Sequence, residues 1–243
     1  MPSAPIPRIA TLLLAFGAAA LPAVAQTPER PDVQQLQLGA GIDSQPGPFR
    51  DFACGTDGGP PSVKIGGFAE FSRCPREVRT GLHEVAFRYD DELEYYALAM
   101  NLKPIADRYG GTRFGSFPVI VSALFDDEGI LQGYRVVTDD RVSLRERRAA
   151  YGMGRFAKSQ FPDGELHCRD LPPADRETPL GNLFVKQDCT STTPEGGRVE
   201  LKTRLLHRPG QAAVDPHSGE KRSGSYESTA RLEVFAPGWE PQP

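Results

Sequence analysis

The stretch Phe117-Pro118-Val119-Ile120-Val121-Ser122-Ala123-Leu124-Phe125, then Asp126-Asp127-Glu128-Gly129, then Ile130 to Thr138, decides how this chain folds. A run that is apolar at consecutive positions has no wet side, which is what a strand covered on both faces requires. Four polar residues ending in glycine make a turn, and a second β-rich run returns from it. The reading is a hairpin in the core.

Downstream of the hairpin, Ser143 followed three residues later by Glu146 is a capping signature, and it predicts a helix through about Arg155. Gly152 and Gly154 weaken that helix. The last third is β-rich. Leu183 to Cys189 reads as a strand, and Thr193-Pro194-Glu195-Gly196-Gly197 turns it into Arg198 to Leu206. There Val199, Leu201, Thr203 and Leu205 share one face, and Glu200, Lys202 and Arg204 take the other, which is expected to be wet. Tyr226 to Phe235 alternates again, with Ala230, Leu232 and Val234 inward.

Upstream, Tyr89 to Leu102 predicts the longest helix. Leu93, Tyr96, Ala97 and Met100 fall on one helical face, Asp90, Asp91 and Glu92 favour its N-terminus, and Pro104 ends it. Hairpins outnumber any strand–helix–strand pattern. The fold class expected is therefore α+β: an antiparallel sheet built from hairpins, with one or two packed helices.

The first residues carry a different signal. A short segment with one charge, Arg8, precedes the apolar run Ile9 to Ala20, and Ala23-Val24-Ala25 fits the small-x-small pattern of signal cleavage. The run is too short for a membrane span. Residues 1–25 are thus read as a signal peptide cleaved after Ala25, with no transmembrane segment in what remains. Residues 26–50 are expected to be a flexible N-terminus, 51–236 the globular domain and 237–243 a disordered tail. A division of the domain into halves, 51–161 and 162–236, stays open. The 22 Arg against 6 Lys, with abundant Ala, Gly and Pro, match a GC-rich bacterial genome, so the expected location is periplasmic or secreted.

Four cysteines, Cys54, Cys74, Cys168 and Cys189, are an even number in an exported chain and read as two disulfides. Local pairing, Cys54 with Cys74 and Cys168 with Cys189, closes the shortest loops. The similar spacing within each pair allows a duplicated unit, but the shared residues are too few to favour one over coincidence. Paired cysteines leave no thiol nucleophile, and no CxxC zinc pattern occurs.

The formal charge of −4 gives no basic footprint for nucleic acid. Neither a Gly-x-Ser-x-Gly motif nor a phosphate loop is present, and no two of His83, His167, His207 and His217 stand at i, i+4. The acidic clusters Asp90 to Glu94 and Asp126 to Glu128 lack calcium-loop spacing and suit a helix start and a turn. Between Gly129 and Gln160 seven basic residues (Arg135, Arg141, Arg145, Arg147, Arg148, Arg155, Lys158) outweigh three acidic ones. Arg141, Arg145 and Arg148 fall on one side of the predicted second helix and are the candidate partner-binding residues, since guanidinium forks suit carboxylates and phosphates. The function expected is a non-catalytic, cofactor-free binding protein whose partner is an anionic envelope component or a protein. The alternatives are an envelope-polymer hydrolase using carboxylates or a serine, and an acidic-cluster binder of a calcium-like metal.

Overall fold

The computed structural model describes residues 32–47, 49–89, 96–97, 99–104, 112–161, 166–208, 212–214, 221–223 and 226–240. The decisive hairpin forms as read: β4 is Phe117–Phe125 and β5 is Leu131–Thr138. Gly129, with φ +76°, closes the turn through its N–H to the Asp126 carbonyl at 3.1 Å. Around the hairpin stand β1 (Arg50–Cys54), β2 (His83–Arg88), β3 (Arg113–Phe114), β6 (His167–Asp170), β7 (Val185–Thr192), β8 (Arg198–His207) and β11 (Tyr226–Phe235). A separate ribbon pairs β9 (Ala212–Val214) with β10 (Lys221–Ser223).

The main sheet is nine-stranded and antiparallel, in the order β1-β2-β4-β5-β11-β8-β7-β6, with β3 on β4. The last strand of the chain sits at its middle. β11 pairs with β5 on one side and β8 on the other, so one sheet runs through both halves of the sequence. The sheet dominates to the point that α+β describes the fold only loosely.

Alternation along the strands explains the core. Val85, Phe87, Val121, Ala123, Phe125, Val136, Leu201 and Leu232 point to one face and are buried with Val33, Phe68, Met153 and Ala157. The helix predicted after Ser143 divides into α1 (Leu144–Ala149) and α2 (Gly152–Ser159). The Ser143 cap is present: Glu146 N–H donates to Ser143 Oγ, which donates in turn to Glu146 Oε2 at 2.8 Å. Gly154, which propensity alone marks as a weakness, is where α2 meets β8. A Cβ there would lie 2.1 Å from Thr203 Oγ1.

The opposite face is not wet as expected. Glu84, Ser122, Leu124, Arg135, Glu200, Glu233 and Phe235 project there and are buried. A second layer lies over its central part, formed by the loop after β1, the Glu77–Leu82 turn and the segment after β11. Trp239 stacks on Phe235, with ring centroids 4.4 Å apart.

Other expectations need correction. Residues 26–50 are not loose from Asp32 onward: Gly39 N–H donates to the Leu131 carbonyl at 2.8 Å, Leu131 N–H to the Ala40 carbonyl at 3.0 Å, and Val33 is buried. Of the expected tail 237–243, Trp239 is held by stacking on Phe235, and 241–243 lie outside the described residues. Half of the predicted helix Tyr89–Leu102 lies outside them as well. Its end is set by Asn101 at φ +56°, where Leu102 N–H reaches the Ala97 carbonyl at 2.7 Å, three residues before Pro104. Ala97 is buried there, while Tyr96 and Met100 of the expected inner face are exposed.

Both disulfides have the local pairing, Cys54–Cys74 and Cys168–Cys189. Their settings differ: the first ties β1 to the turn Phe68–Arg73, and the second joins adjacent strands β6 and β7. Similar spacing here does not mark a repeated unit.

Candidate functional site

The densest chemistry lies under the covering layer. Arg135 on β5 stands opposite Ser122 on β4 and Glu233 on β11, and its side chain is fully buried. Its Nε donates to Glu233 Oε1 at 2.7 Å, and its terminal nitrogens lie 2.9 Å from Glu84, 3.1 Å from Asp57 and 3.2 Å from Glu77. Arg79 and Arg231 also reach Glu233. Three guanidinium groups therefore meet four carboxylates. Burial pushes the Glu233 carboxyl up. The Arg231 hydrogen bond and the charges of Arg135, Arg231 and Arg79 outweigh it and bring the pKa to about 2.

The same carboxylates bind the covering layer. Glu84 accepts from Asp57 N–H at 2.7 Å and from Gly58 N–H at 3.1 Å. Glu77 accepts from Arg79 N–H, Thr80 N–H and Thr80 Oγ1. Gly58 has φ +78°, and a Cβ on it would lie 2.4 Å from Val137 Cγ2, so glycine is what lets the loop lie flat on the sheet. This is a fastening of charges, with each carboxylate committed to arginine, amide or hydroxyl groups.

The predicted arginine face is divided. Arg141 precedes α1 and is held by Asp139 in a two-pronged pair, with Nε to Oδ1 at 2.8 Å and Nη2 to Oδ2 at 2.7 Å. It lines a groove of about 360 Å³ with Lys64, Arg88 and Ile120. Arg145 and Arg148 line a separate, open cavity of about 600 Å³ with Leu144, Ala149 and Tyr151. Among the described residues no ion pair is formed by Arg145, Arg147, Arg148 or Arg155, whereas Glu146 between them is drawn off to Ser143 and Arg113. Arg135, counted in the same basic stretch, is interior.

The acidic turn is occupied. Asp126 accepts from Glu128 N–H, Ile130 N–H and Gln132 Nε2, and Asp127 is held by Arg76 and His83. His83 donates Nδ1–H to the Cys74 carbonyl at 2.6 Å and places Nε2 3.2 Å from Asp127, a contact that becomes a hydrogen bond when the ring is protonated. His167 lies on the exposed edge strand β6, His207 packs edge-on against Tyr226, and His217 is outside the described residues. A cavity of about 520 Å³ opens beside this turn, against Thr80 and Trp239.

Sequence reasoning missed the Arg135 cluster, because Arg135, Glu84 and Glu233 occupy alternating positions that read as outward and polar. Arg135 directly opposite Glu233 was the available signal, but it required the pairing of β5 with β11 first. Fold and site together define a disulfide-stapled antiparallel-sheet protein with a buried ionic fastening and an exposed arginine surface. The chain matches no protein family, no curated protein and no solved structure.

Proposed function

We propose that this is an exported protein, cleaved after Ala25, that acts outside the cytoplasm as a non-catalytic binder of an anionic envelope component. The observation that carries the reading is the contrast among the basic residues. Arg135 and Arg141 are neutralised by carboxylates, while Arg145, Arg147, Arg148 and Arg155 on α1 and α2 have no acidic partner among the described residues. Unspent guanidinium forks beside an open cavity suit a carboxylate- or phosphate-bearing partner. Two disulfides are compatible with an extracytoplasmic setting, and no helix among the described residues is long and apolar enough to cross a membrane.

The hydrolase reading draws support from a buried ionisable cluster only where that cluster lines a cleft. Arg135, Glu77, Glu84 and Glu233 line none of the three cavities described above.

Cosedimentation of the purified mature protein with isolated envelope fragments tests the proposal. Binding should weaken as salt rises, because exposed charges are screened over about 8–10 Å at physiological ionic strength. It should vanish in R145E/R147E/R148E. Two results would overturn the reading: undiminished binding by that variant, or turnover of a peptidoglycan, ester or glycan substrate that is lost on changing one acidic or serine residue.

A further inference from the structure

The cavity beside the β4–β5 turn lies away from the arginine surface. Tyr151 of α1's cavity bonds to Ser228 near the start of β11, whereas Trp239 follows the end of the same strand. We propose that this cavity is a saccharide-binding site, with Trp239 as the platform under a sugar ring and Arg76, Thr80, Asp127, Glu128 and Glu240 as the hydroxyl-binding rim. Its volume of about 520 Å³ is that of a small-ligand site.

Three features select this ligand class. Trp239 is a fixed plane: it stacks on the fully buried Phe235 at an interplanar angle of 23°, its backbone N–H donates to the Ala236 carbonyl, and it remains half-buried. A flat aromatic surface with one polar edge is what the C–H face of a sugar covers well. Asp127 is paired with Arg76, so the central rim group is already positioned and little ordering is lost on binding. Planar carboxylate and guanidinium groups offer paired acceptors and donors that match neighbouring hydroxyls.

The same lining excludes the rivals. A wholly apolar ligand would strand the rim charges without partners. An anionic ligand would face Asp126, Asp127, Glu128 and Glu240 against Arg76 alone. Metal is disfavoured because Asp126 and Asp127 are already committed to hydrogen bonds. With Asp127 balanced by Arg76, the uncompensated charge is that of Asp126, Glu128 and Glu240, since Asp126 is bonded only to neutral donors, and it favours a sugar carrying a free amine.

Trp239 is the only tryptophan of the chain, so its emission reports on this cavity alone. The mature protein is titrated with the β-1,4-linked glucosamine trimer, with its fully N-acetylated counterpart, and with a linear alkyl diamine. Both trimers should change the emission saturably. The free-amine trimer should half-saturate at up to about fivefold lower concentration, as one exposed ion pair allows. E128Q/E240Q should reduce that preference while keeping both trimers bound. By calorimetry, W239A should lose both trimers while keeping its circular dichroism spectrum. If that variant is unfolded, a rim variant, R76A/E128Q, should weaken both trimers in its place. R145E/R147E/R148E should bind sugar as the parent does, so failure of the proposed envelope binding and failure of this site are separable. No saturable change with either trimer overturns the proposal. So does a diamine response as strong as that of the trimers, which would mean that the cavity reads charge alone.

Discussion

Two sets of arginines in this molecule look alike in sequence and have opposite fates. Arg79, Arg135 and Arg231 meet Glu77, Glu84, Glu233 and Asp57 beneath a covering loop. Arg145, Arg147, Arg148 and Arg155 stand on two short helices without acidic partners among the described residues, Arg147 half-buried and the others exposed. In the first set the charges hold the protein to itself, and in the second they remain available to something else. Arginine count cannot separate the two. What separates them is whether a neighbouring strand or loop brings a carboxylate opposite, which is a property of topology.

The largest effect should come from breaking the buried set. Arg135→Met leaves Glu84 and Glu233 facing each other in the interior without their central counter-charge. Removing one member of a buried ionic set costs about 3–5 kcal/mol, and the midpoint of denaturant unfolding measures it. An unchanged midpoint would mean that water reaches the cluster and that the two sets do not differ. Acid should act in the same direction. Glu233 titrates at about 2 in the folded protein against an ordinary 4.5, and Glu77 is also lowered, its hydrogen bonds and the Arg135 charge outweighing its burial. The unfolded chain therefore binds protons before the folded one. The stability these groups contribute is complete above about pH 4.5 and is lost as pH falls towards 2. A series of thermal midpoints through that window should fall steeply in the parent and more gently in Glu233→Gln.

A middle-sized effect should come from lifting the cover without touching a charge. Gly58→Ala must hold alanine at φ +78° with its methyl driven into Val137. The expected cost is about 1–3 kcal/mol, read as a lower denaturant midpoint. If alanine is tolerated, the loop does not lie on the sheet as described.

Parts of this contrast were legible in the amino-acid sequence. The hairpin was, because Val119 to Phe125 cannot be wet on either side, and so was the helix cap at Ser143. Local pairing of the cysteines was favoured by short loop closure. The cover over the second face was not. Glu200, Lys202 and Arg204 alternate with apolar residues as a solvated face would, yet Glu200 is buried. Period-two patterning reports which residues share a face and says nothing of whether a distant loop lies over it. The arginine surface was half legible: Arg145 and Arg148 share a cavity, while Arg141 lies before the helix start and is spent on Asp139 two residues away.

The smallest effect should come from reversing the exposed set, and its smallness is the sharpest test of the contrast. In R145E/R147E/R148E no ion pair among the described residues is lost. Ser143 caps α1, so Arg145 sits in its first turn, where a negative charge is favoured by the helix dipole, and Arg147 and Arg148 sit in the last, where it is disfavoured. The two ends of a six-residue helix therefore offset one another. Glu146 keeps Ser143 and Arg113, since neither is altered. Surface changes of this kind stay within about 0.5 kcal/mol, which for a chain of this size is a thermal midpoint shift of about 2 °C or less. A drop of more than about 5 °C would show that these arginines serve the fold as Arg135 does. A stable variant that no longer sediments with envelope fragments would leave the contrast intact and assign the exposed set to binding.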